Sequence, residues 1–150
     1  MTVRATTFIA AALLASSASA RIGETEAQIA QRYGQPVPAA NPQPDRKVYK
    51  FKDFTISVVF RDGRSVQEQL WKGEEMSMEP SIVKGLLGAN APAGTHWERY
   101  GGDNSWKRSD GKAMADLVAG TFTVSLLKKG ELEKAEKMLD QAEKDKTKGF

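Results

Sequence analysis

Two Asp-Gly dipeptides, Asp62-Gly63 and Asp110-Gly111, constrain the fold of this 150-residue chain more than any other feature. A tight hairpin turn needs positive φ, which glycine supplies without steric cost, and the pair becomes a hairpin signal when strands flank it. Before the first pair, Ile56, Val58 and Phe60 alternate with Thr55 and Ser57, and a further strand is expected over Ser65 to Trp71. Upstream, Tyr49 and Phe51 alternate with Lys50 and Lys52, so an antiparallel meander is predicted. Around the second pair, strands are expected near His96 to Tyr100, Ser105 to Lys107, Ala113 to Val118 and Phe122 to Leu126.

A helix precedes each group of strands. Thr25-Glu26-Ala27-Gln28 fits a capping box, and Gly34 followed by Pro36 ends the segment. Four prolines between Pro36 and Pro44 then impose an extended connector. Ser77 to Pro80 opens a second helix whose apolar face is Ile82, Val83, Leu86 and Leu87, with Gly88 as the expected stop. Helix and Asp-Gly turn thus occur twice in the same order, with Phe60 to Arg64 echoed by Arg108 to Lys112. The expected fold class is α+β: a small antiparallel sheet packed by two helices, as a two-fold helix-hairpin repeat with halves of about 21–73 and 74–127. Residues 128–150 carry seven lysines and six acids and form a charged C-terminal helix or tail. Its narrow stripe of Leu132, Ala135, Leu139 and Ala142 offers a surface for docking on the domain or for self-association.

The first 20 residues read as an export signal. Arg4 gives a positive start, Ala5 to Ala15 is apolar, and Ala18-Ser19-Ala20 places cleavage after Ala20. The apolar run is too short to span a bilayer, and no later segment is apolar enough. A secreted or periplasmic location is therefore expected, without a transmembrane segment in the mature chain. The chain has no cysteine, which excludes disulfides, thiolate metal sites and cysteine nucleophiles, so packing alone must hold the fold. A formal charge of +3 is far below what phosphate neutralisation by a nucleic-acid binder usually requires.

Reactive groups are sparse. His96 is the only histidine, no Gly-x-Ser-x-Gly elbow accompanies it, and zinc would have to draw its other ligands from scattered carboxylates. Glu74, Glu75 and Glu79 follow Trp71 but read as a polar loop and a helix start. Asp103-Asn104-Ser105 lacks the later Gly and Glu of a calcium loop, and phosphate-binding fingerprints are absent. No catalytic residue, metal ligand or cofactor is therefore assigned. The suggestive group is Trp71, Trp97, Arg99, Tyr100, Trp106 and Arg108, where aromatics interleave with cations as they do at sites for sugars, anions and protein partners.

The islands Gly23-x-Thr25 to Tyr33-Gly34-x-Pro36, Phe54-Thr55-Ile56 to Phe60-x-Asp62-Gly63, and Trp106-x-Arg108-x-Asp110-Gly111-Lys112-Ala113-Met114-Ala115 resemble a group of small exported bacterial proteins with no assigned activity. The Gly-x-Thr helix ending in Tyr-Gly-x-Pro before antiparallel strands is similar, more distantly, to the SmpA/OmlA lipoproteins and the tandem-repeat β-lactamase-inhibitor proteins. Unlike the lipoproteins, this chain has no lipid-bearing cysteine. The resemblance implies a helix-plus-sheet module that binds rather than catalyses. The expectation is an exported, non-catalytic interaction module for a protein or cell-envelope component. The alternative is a carbohydrate-binding protein or glycan-directed hydrolase that uses exposed tryptophans.

Overall fold

Seven strands join into one continuous antiparallel sheet: β1 (Arg46–Phe51), β2 (Phe54–Arg61), β3 (Arg64–Trp71), β4 (Trp97–Arg99), β5 (Ser105–Arg108), β6 (Ala113–Val118) and β7 (Thr121–Leu126). The computed structural model describes residues 22–147; the expected signal segment and its expected cleavage point lie outside the described residues. Strand order is β1-β2-β3-β7-β6-β5-β4, so the last strand in sequence sits at the centre, beside β3. The helices are α1 (Glu26–Tyr33), α2 (Pro80–Ala89) and α3 (Glu131–Thr147). Among the described residues, no helix is long and apolar enough to cross a membrane.

This architecture overturns the expected small sheet packed by two helices. Hairpin signals are local, and they do not report that β3 pairs with β7, from Gln67 opposite Ser125 to Leu70 opposite Phe122. That pairing fuses the two groups of strands into a sheet about 29 Å wide. Helices of 8 and 10 residues are only about 12 and 15 Å long and cannot cover it. The helix-side face is consequently left with clefts.

Local chemistry explains the individual elements. The Thr25 hydroxyl accepts the backbone N–H of Gln28 while the Thr25 N–H donates to Gln28 Oε1, completing the capping box at the start of α1. In the β2–β3 turn, Asp62 and Gly63 both adopt positive φ, the geometry that matches strand twist. Ala119 and Gly120 form a corresponding turn between β6 and β7 that no Asp-Gly pair announced. The expected stop at Gly88 is corrected to Asn90. Gly88 stays helical, and the Asn90 side chain donates to the Leu86 carbonyl while accepting from the Ile22 N–H.

The core lies between the sheet and the α1/α2 layer. Ile29 and Tyr33 from α1, Val83 and Leu86 from α2, and Tyr49, Ile56, Val58, Leu70, Trp106, Phe122 and Val124 from the sheet are buried together. Burial of each such aliphatic or aromatic side chain is worth about 1.5–3 kcal/mol. Alternation places Arg46, Ser57, Gln69 and Gln67 on the other face, where Arg46 donates to Ser57 Oγ and Gln69 Oε1 and Gln67 donates to Ser125 Oγ. The third helix reaches that second face at β5. Glu136 pairs with Lys107 at 3.7 Å, and Leu132 lies close enough that a Cβ on Gly111 would stand 3.2 Å from it. The side chains of Ala135, Leu139 and Ala142, expected to complete the stripe, lie outside the described residues.

Candidate functional site

Strand alternation divides the six aromatic and basic residues singled out in the sequence. Trp97 faces Arg108 across β4 and β5, and Arg99 faces Trp106, so these four share the helix side of the sheet. Tyr100 lies on the opposite side, with Lys107 at 5.3 Å from its ring centroid. Burial pushes the Tyr100 hydroxyl above its ordinary pKa, and the carboxylates of Glu136 and Asp140 on α3 add to the effect. Trp71 is also on that opposite side, at the far end of β3 and paired with Thr55. The structure therefore does not bring Trp71 or Tyr100 to the site formed by the other four.

The two tryptophan-arginine pairs have different fates. Arg108 is 4% exposed. Its guanidinium lies 6.0 Å from the Trp97 ring centroid and donates to both carboxylate oxygens of Asp110, at 2.9 and 3.0 Å, and to the Asn90 carbonyl at 3.1 Å. The hydrogen bond from Arg108 is the main reason the Asp110 carboxyl is held below its ordinary pKa, and the Lys112 N–H adds to it. Trp97 donates its indole N–H to the Leu87 carbonyl at 2.7 Å. Arg108, Asp110, Asn90 and Trp97 thus form a knot that ties the end of α2 to β4, β5 and the second Asp-Gly turn. These are structural duties.

Arg99 is exposed and stacks at 4.9 Å from the Trp106 ring centroid. It forms no ion pair with a carboxylate among the described residues, and neither does Lys84 on α2. Both line a groove of about 310 Å³ between α2 and β4–β6. Trp106 and Leu117 contribute from the sheet, Val83 and Leu87 from α2, and Met78 and Asn104 from the adjoining loops. The volume lies at the lower end of ligand pockets in general. An apolar bed with an amide and two cations that pair with no carboxylate among the described residues suits a ligand segment that carries both apolar and anionic groups. Lys84, Asn104 and the α2 wall were missed in the sequence. A lysine on a helix normally reads as a solvent-facing residue, and only the width of the sheet turns this one into a lip.

The remaining reactive residues are spread out. His96 is exposed and lies 3.0 Å from Glu98. Glu75 pairs with Lys72 at 3.3 Å, Glu74 is exposed, and Glu79 is the N-cap position of α2. Among the described residues, no group of three histidine or carboxylate side chains is placed to hold a metal ion. Comparison with known proteins returns no matching family model, no matching curated protein and no matching solved structure.

Proposed function

We propose that this protein is an exported, non-catalytic binding module that holds a protein partner in the groove between α2 and β4–β6. The observation carrying this reading is the juxtaposition of Arg99 and Lys84, neither neutralised by a carboxylate among the described residues, over the apolar bed of Trp106, Leu117 and Leu87. A partner segment that fits presents apolar side chains flanked by aspartate or glutamate. Export rests on the Arg4 to Ala20 signal pattern. The test is capture from cell-envelope extract on immobilised wild-type protein and on a Lys84→Glu/Arg99→Glu variant. Proteins retained by the former and lost to the latter are expected; identical retention on both refutes the groove as the binding surface.

The glycan reading has one observation in its favour. Trp71 is half-buried beside the polar rows of the second sheet face, whereas Trp106 is buried beneath Arg99 and Trp97 is engaged by Arg108. Stacking on sugar therefore falls to Trp71. Titration of tryptophan fluorescence with glycans, in wild type and in Trp71→Phe, tests it; a signal that survives the substitution refutes it.

A further inference from the structure

On the other flank of α2 a second cleft, of about 270 Å³, lies between that helix, the end of α1 and strands β1–β3. Ile56 and Leu70 come from the sheet, Tyr33 from α1, and Ile82 and Leu86 from α2. Phe54 and Phe51 complete the apolar lining, and Phe51 is 37% exposed, unusual for a side chain packed 5.6 Å from the Tyr33 ring centroid. Gly85 borders the open space of the cleft, where a Cβ would meet nothing within 4 Å, so a large side chain placed there would project into unoccupied volume. At the exposed edge, Lys52 places its ammonium 5.5 Å from the Phe51 ring centroid and forms no ion pair with a carboxylate among the described residues. Lys52 is also held at a φ of 53° in the β1–β2 turn, which fixes where its side chain leaves the backbone.

We infer that this cleft is a binding site for a single-chain amphiphile bearing a carboxylate, with the alkyl chain among Ile56, Leu70, Ile82 and Leu86 and the carboxylate on Lys52. The size selects one chain rather than two, since the cleft lies just below the range typical of drug-sized ligand pockets. The lining selects an apolar body, because it offers a chain no charged side chain other than Lys52. The cation at the rim selects the sign of the head group, a charge-assisted contact that a neutral alcohol cannot reproduce. The site does not share lining residues with the groove holding Arg99, so it stands or falls independently of the proposed function.

The test uses full-length mature protein titrated with octanoate, octanol and acetate, followed by calorimetry and by methyl NMR of the isoleucine and leucine side chains. Octanoate is expected to bind saturably and to shift Ile56, Ile82, Leu70 and Leu86 while leaving Leu117 in place. Octanol is expected to bind about tenfold more weakly, and acetate not at all. Gly85→Phe should abolish binding while raising helix propensity, so its folding is checked by circular dichroism. Lys52→Gln provides a second variant that leaves the cleft unfilled, and should bring octanoate affinity down to that of octanol. Absence of octanoate binding by the wild type, equal affinity for octanol, or unchanged binding by a folded Gly85→Phe variant would each overturn the inference.

Discussion

Arg108 over Trp97 and Arg99 over Trp106 are the same pair of residue types, set in directly opposed register on the same two strands. Around Arg108, the Asp110 carboxylate and the Asn90 carbonyl take three of the five donors of the guanidinium, and its charge is paired within the fold. Arg99 forms no ion pair with a carboxylate among the described residues, and it lines a groove. What separates the two pairs is therefore the second partner of each arginine, not the arginine or its tryptophan, and the proposed function assigns recognition to the pair that lacks one. Composition alone cannot make that distinction.

Truncating each arginine in turn should separate the two pairs most clearly. Arg108→Ala should lower stability by about 3 kcal/mol, because it leaves Asp110 and the Asn90 carbonyl without their partner. Arg99→Ala should cost less than about 1 kcal/mol, the worth of an exposed cation-π contact. Urea unfolding measures both, and equal losses would erase the distinction. Next in size, Asn90→Ala should cost about 2 kcal/mol through the unsatisfied Ile22 N–H and Leu86 carbonyl. Because Asn90 and Arg108 share one knot, the double variant should lose less than the two single losses combined. Additive losses would show that the contacts are independent.

A smaller effect separates the pairs by pH. Asp110 has a folded pKa below its ordinary 3.8, so its contribution is fully present above that value and is lost as pH falls through the lower folded value. In Asp110→Asn this dependence should vanish from the acid side of the stability profile, together with about 1–2 kcal/mol at neutral pH. Arg99→Ala should leave the profile unchanged. Smallest of all, Lys137→Ala on α3 removes an exposed i,i+4 pair with Glu133 and should cost about 0.3 kcal/mol or less.

Legibility in the sequence followed the range of the interaction. The α1 capping box and the Asp62-Gly63 turn depend on neighbours three residues apart or fewer, and both are read directly from residue types. The β3–β7 pairing joins Gln67 to Ser125, and nothing local to either residue announces it. That one long-range ladder changed a small helix-packed sheet into a wide one with clefts. The site was half legible for the same reason. Trp106 and Arg99 stood out as an aromatic beside cations, and alternation could already have separated them from Tyr100. Lys84 and Asn104 join them only because α2 crosses this part of the sheet. Asn90 was hidden by Gly88, whose composition signals a helix stop that the geometry does not use.

The most direct test is the footprint of the partner returned by the charge-sensitive capture experiment, mapped by methyl NMR on the isolated protein. Shifts confined to Val83, Leu87 and Leu117, abolished by Arg99→Glu at unchanged urea midpoint, are predicted. Shifts instead at Val48 and Val59 on the second sheet face, with the three groove residues silent, would contradict it.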